Sequence, residues 1–195
     1  MSNKQFRNLP DHMVRSIERS LGPVQKAAGR YIFVDPANGS DGNDGDYATA
    51  ALASLEQAQD LATANQNDVV VLIGTTNAAT PTTARVATGG LAWAKDNVHL
   101  VGVCSGNHTQ QRARISPATT DVTTEIPLLI TADNCHFENF SVFHGVNGWT
   151  GGTGEGGGKA FATKVAGQRN LFRNVSISGL GDSSGANSMD VNGHA

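Results

Sequence analysis

"FENFSV" at Phe137–Val142 and "FRNVSI" at Phe172–Ile177 superpose position by position, with Asn139 and Asn174 separated by 35 residues. A weaker copy, "NVHLVGV" at Asn97–Val103, places Leu100 37 residues before Phe137 and puts Gly102 in the asparagine's place. Each copy reads as a short strand, a corner of one or two residues and a second short strand. Strands recurring at a period of 20–50 residues are the signature of a solenoid, in which no coil buries its apolar side alone and stacked coils share one core. Alternation along the copies predicts that Val70, Leu72, Leu100, Phe137, Val142, Phe172 and Ile177 point inward. It sends His99, Glu138, Leu171 and Arg173 outward. Asparagine at the corner tolerates left-handed backbone angles and can hydrogen-bond along the stack.

The variable lengths between copies fall in the polar segments 104–125 and 145–160. One of these holds "GWTGGTGEGGGKA" (Gly148–Ala160), which invites comparison with a phosphate-binding loop. Counting back from Gly158-Lys159, the first glycine of such a loop should be residue 153, which is Thr153, and the hydroxyl after the lysine is replaced by Ala160. Immediately beyond it, Phe161, Thr163 and Val165 alternate as strand residues do, whereas a phosphate loop must open a helix. The segment reads as an excursion between strands, and no nucleotide cofactor is expected.

Composition agrees with a turn-rich all-β body: 23 glycines and 6% aromatic residues in 195. The net charge of −3 is unevenly distributed. Residues 1–30 carry Lys4, Arg7, Arg15, Arg19, Lys26 and Arg30 against Asp11 and Glu18, a net +4 that leaves −7 for residues 31–195. Within that arm, "DHMVRSIERSL" repeats Met13, Ile17 and Leu21 at helical spacing and is stopped by Gly22-Pro23. So small an apolar stripe is not stable alone and is expected to dock, on a partner or on its own domain. The docking residues expected are Phe6, Arg7, Leu9, Met13, Arg15, Ile17, Arg19 and Leu21. With one aromatic and six basic residues the arm is a poor match for nucleic acid. No stretch approaches a membrane span, and the first residues lack the apolar run of a secretion signal, so assembly in the cytosol is expected. Cys104 and Cys135 have neither zinc nor disulfide spacing and read as reduced, small core side chains.

The body opens with "YIFVDPANGSDGNDGDYATAALASLEQAQDLATANQNDVVVLIG". Tyr31–Val34 is strand-forming, Asp35–Asp46 is turn chemistry, and Ser54 with Gln57 can cap a helix near 54–64 that faces Leu55, Ala58 and Leu61 inward. Val69–Ile73 is an apolar run that suits a strand buried on both faces. This opening, about residues 31–103, resembles the first coil of right-handed parallel β-helix proteins of the pectate-lyase-like superfamily, in versions common among bacteriophage tailspikes, tail fibres and head-associated appendages. The resemblance implies a short helix covering the otherwise exposed N-terminal end of the solenoid. It also implies attachment to the particle through the N-terminal segment 1–30, with a β-helix domain over 31–195 projecting outward, and association around a three-fold axis.

Catalytic members of that superfamily use clustered carboxylates with calcium, or carboxylate pairs on one sheet face. The outward positions form no acidic pair, and no catalytic residue is assigned. His99 and His136 occupy equivalent places in adjacent coils and are expected as a solvated pair about 5 Å apart, with no third metal ligand. Asp41, Asp44 and Asp46 are weak calcium candidates whose spacing fits self-capped turns better than an ion site. Phe143 and Trp149 sit where alternation turns apolar groups outward, and "SMDVNGHA" shows no charged or helical cap. Both features point to company. The expectation is a non-enzymatic virion protein, a head fibre or capsid decoration contacting other virion proteins. A tailspike or tail fibre that binds or degrades host surface polysaccharide is the alternative.

Overall fold

A computed structural model describes residues 29–74, 83–87, 89–104, 113–117, 126–143 and 163–178. The aromatic and β-branched run after Arg30 forms β1 (Tyr31–Val34). After a 3-10 turn (Ala48–Ala50) and α1 (Leu55–Leu61) come β2 (Val69–Ile73), β3 (Thr83–Val86), β4 (Leu91–Trp93) and β5 (His99–Val103). Next along the chain are β6 (Arg114–Pro117), β7 (Leu128–Ile130), β8 (His136–Glu138), β9 (Ser141–Phe143), β10 (Thr163–Val165), β11 (Leu171–Arg173) and β12 (Ser176–Ser178). The architecture is all-β with one short α-helix among the described residues.

Every pairing between these strands is parallel. Sheet 1 runs β1-β2-β5-β8-β11, sheet 2 runs β3-β6-β9-β12 and sheet 3 runs β4-β7-β10. From β2 onward the chain visits sheets 1, 2 and 3 in turn, so from β5 onward each strand pairs with the strand three before it. The register is the one the repeats predict: Leu100 pairs with Phe137 and Phe137 with Phe172, while Val142 pairs with Ile177. The first copy departs from the others in its corner. β5 runs straight through Val103 and β6 begins only at Arg114, where β8 and β9 are separated by Asn139 and Phe140 alone.

That corner is held by a polar ladder. Asn139 and Asn174 adopt φ of 61° and 51°. The Asn139 Nδ2 donates to the Gly102 carbonyl and the Asn174 Nδ2 donates to the Asn139 Oδ1, each at 2.7 Å. Gly102 is required by approach: a Cβ there would lie 2.1 Å from the Asn139 carbonyl oxygen.

One core lies between the sheets, with Ile32, Leu52, Leu72, Trp93, Leu100, Ile115, Ile130 and Phe137 among its buried members. Phe137 is its centre, meeting Trp93 edge-on at 5.8 Å and stacking on Phe172 at 5.0 Å. Cys135 is buried in this core and Cys104 packs against it, both as free thiols. A second cluster, Phe33, Ala51, Val69, Val71, Val101 and Val103, covers the other face of sheet 1, so β2 is buried on both faces.

α1 begins where the capping pattern predicts. Ser54 accepts from the Gln57 N–H, and Leu55 and Ala58 are buried while Leu61 packs at the core's margin. The helix ends at Leu61, short of residue 64, because Ala62 is extended and the Thr63 N–H is taken by the Asp68 carboxylate. Val70, Leu72, Leu100, Phe137 and Val142 are buried as expected. Phe172 and Ile177 hold the expected register but remain 40% and 37% exposed, because β11 and β12 are the outer strands of their sheets. Phe143 is half-buried, with the Arg114 guanidinium 5.0 Å above its ring. The arm residues 1–28, the glycine-rich segment with Trp149, and residues 179–195 lie outside the described residues.

Candidate functional site

Parallel stacking brings like positions of successive strands side by side, and on the outer face of sheet 1 it assembles a polar column. β5 opens with His99, β8 contributes His136 and Glu138 on the same face, and β11 contributes Arg173. The expected histidine pair is therefore adjacent, but it is not solvated: His99, His136 and Glu138 are only 4%, 8% and 5% exposed. Alternation fixes which face a side chain occupies and says nothing of what lies over that face, so burial was not legible from it.

The geometry fixes the protonation of His99. The backbone N–H of His136 donates to the His99 Nδ1 at 3.0 Å, so that nitrogen carries no proton. In the neutral ring the proton sits on Nε2, which is buried without a hydrogen-bond partner. The His99 pKa falls from 6.5 to about 4: burial contributes most, neighbouring His136 lowers it too, and Asp68 acts in the opposite sense. His136 is also lowered, first by burial; Glu138 opposes this and Arg173 adds to it. The His136 Nε2 is 3.1 Å from the Glu138 Oε2. The other carboxylate oxygen lies 3.5 Å from the Nε of Arg173, whose side chain is largely exposed. The result is a neutral histidine beside a histidine–carboxylate–arginine chain. Its repeat spacing of 37 and 35 residues was the available signal, but Glu138 and Arg173 were not recognised as its continuation.

The acidic turn is occupied by its own backbone. Asp41 Oδ1 accepts from the N–H groups of Ala53 and Ser54, both at 2.9 Å, and so fixes the approach to α1. Asp44 accepts from the Asp46 N–H, and Asp46 pairs with Arg30 at 2.8 Å. The three carboxylates thus have separate tasks, and among the described residues no group of three or more His, Cys, Asp or Glu side chains is placed to hold a metal ion. Among the expected docking residues, Phe6, Arg7, Leu9, Met13, Arg15, Ile17, Arg19 and Leu21 all fall outside the described residues. Compared with known proteins, the chain matches no family model and no curated protein.

Proposed function

We propose that this chain is a right-handed parallel β-helix serving as a non-enzymatic structural component of a bacteriophage virion, a head fibre or capsid decoration anchored by residues 1–30. The observation that carries this reading is the opening coil. β1, the turn cluster 35–46, α1 seated on the core through Leu55 and Ala58, and β2 succeed one another as the phage-type resemblance implies. The cyclic visit to three parallel sheets supports the helical winding, and right-handed crossovers are the rule for parallel connections. Stacked polar ladders and a continuous aromatic core suit a stiff spacer. Burial of His136 and Glu138 suits packing better than contact with a substrate. Within the proposal, sister chains associate around a three-fold axis, and the other partners are shell or tail proteins.

Immunogold labelling of intact particles with antibodies raised to the body tests the assignment. Label on the particle surface is expected; label confined to the particle-free lysate overturns it. Incubating the full chain with host lipopolysaccharide or capsular glycan and assaying for new chain ends separates the tailspike alternative, which requires turnover or at least retention of the glycan.

A further inference from the structure

The strands of sheet 1 begin their pairing in the same way, with one exception. The first N–H of a strand donates to the carbonyl that precedes the strand beside it: Val69 to Arg30 at 2.9 Å, His99 to Asp68 at 2.8 Å and Leu171 to Cys135 at 2.9 Å. In the register that sets Leu100 beside Phe137, the acceptor for the His136 N–H would be the Val98 carbonyl. That carbonyl accepts instead from the Trp93 indole N–H at 3.0 Å, and the His136 N–H donates to the His99 Nδ1. An imidazole thus stands in for a peptide carbonyl at this rung. The same seam is the most thinly paired of its sheet. β5 and β8 share two paired positions, whereas β1 with β2, β2 with β5 and β8 with β11 share four, five and three. Its far end is again bridged by a side chain, the Asn139 Nδ2 donating to the Gly102 carbonyl.

A carbonyl cannot take a proton at the pH of a cell or a compartment, and an imidazole can. We infer that this rung makes the β5–β8 seam an acid-sensitive joint: a proton on the His99 Nδ1 turns the acceptor of the His136 N–H into a donor, and the two strands part there while the rest of the stack holds. Two donors then face each other across a buried rung, an arrangement relieved when opening lets both reach water. The His99 Nε2, buried without a partner, offers the charged ring no compensating acceptor. Of the groups facing the ring, Asp68 beside β2 favours the charged form and His136 on β8 opposes it. Glu138 on β8 and Arg173 on β11 come next along the column, and the flanking strand positions, Val69 and Leu171, are uncharged. Because burial holds the folded ring near 4, below its ordinary 6.5, the rung is intact above pH 6.5 and weakens as the pH falls toward 4. The inference rests on the pairing of β5 with β8 and stands or falls independently of the virion assignment.

Site-resolved hydrogen exchange on the full chain tests it. After correction for intrinsic rates, opening at the His136 amide is expected to be at least tenfold more frequent at pH 4.5 than at pH 7.5. At pH 4.5 it should also be insensitive to urea too dilute to unfold the chain, which marks a local opening; exchange at the Val69 amide should follow global unfolding. In His99→Asn the side-chain oxygen can accept the same N–H without titrating, and the pH dependence at His136 should vanish. Opening that does not change with pH, a urea dependence equal to that of Val69, or a pH dependence that survives in His99→Asn overturns the inference. Nitrogen NMR of the His99 ring in the unsubstituted chain gives a second reading should the variant not fold. An unprotonated Nδ1 at pH 7.5, taking its proton over the range in which His136 loses protection, is expected. A proton on Nδ1 at pH 7.5 overturns it.

Discussion

At residue scale the corner column depends on backbone angle and side chain together. Asn139 holds φ of 61° while its side chain bridges Gly102 and Asn174. Asn139→Gly keeps the angle accessible and loses two hydrogen bonds worth about 1 kcal/mol each. Asn139→Ala loses the same bonds and adds the left-handed penalty of about 1–2 kcal/mol. Urea unfolding should therefore rank the alanine variant about 1 kcal/mol or more below the glycine variant, and equal stabilities would refute the backbone part of the account. His99 supplies a pH prediction. Its pKa of about 4 in the folded chain lies below the 6.5 of the open chain, so between those values the unfolded state binds the extra proton. Stability is then fully present above pH 6.5 and falls as the pH drops toward 4, by about 3 kcal/mol for a shift of this size. The groups facing the ring are His136 and Asp68, with Glu138 and Arg173 next along the column. His99→Asn retains an acceptor for the His136 N–H and should flatten most of that decline in unfolding measured at pH 7 and pH 4.5. An unchanged slope would show that another group carries it.

At the scale of the element, a paired strand on each side distinguishes Phe137, flanked by Leu100 and Phe172, from Phe172. Phe137 is enclosed by Trp93, Phe140 and Phe172, and Phe137→Ala should cost about 3–5 kcal/mol. Phe172 has the same register but is paired on one side and 40% exposed, so Phe172→Ala should cost about 1–2 kcal/mol. Equilibrium denaturation of the two variants checks the ratio, and a Phe137→Ala cost below about 0.5 kcal/mol would contradict the register itself. That register was legible because strand period and repeat period act together: a one-residue slip would send Phe137 and Val142 to the wrong face. The start of α1 was legible in Ser54 and Gln57, whereas its end was set by the Asp68 carboxylate five residues beyond Thr63, a spacing outside the usual helix stop signals. Trp93 was missed as a core anchor for a related reason. "LAW" is too short to announce a strand, and its burial comes from Phe137 across the core and from the Val98 carbonyl that accepts its indole N–H.

On the scale of the whole molecule, the two ends of the stack differ. α1 covers core side chains in the opening coil, while β11 and β12 present Leu171 at 57% exposure together with Phe172 and Ile177. Phe143 no longer argues for association, since Arg114 stacks over it. The apolar outer strands remain the physical ground for the proposed trimer, and the charge contrast between arm and body offers a competing one. Ionic strength separates the two. Contacts between a basic arm and an acidic neighbour weaken as salt shortens the screening length, whereas burial of Leu171 and Ile177 does not. Multi-angle light scattering of the full chain is expected to give a species of three chains that persists in molar salt. Leu171→Lys with Ile177→Lys is expected to shift it toward monomer, since each lysine would have to be desolvated at the contact. Trimers that dissociate in salt but survive the double substitution would move the contact to the arm. A monodisperse monomer at micromolar concentration would remove self-association altogether, leaving the proposed attachment to other virion proteins as the remaining account of the exposed outer strands.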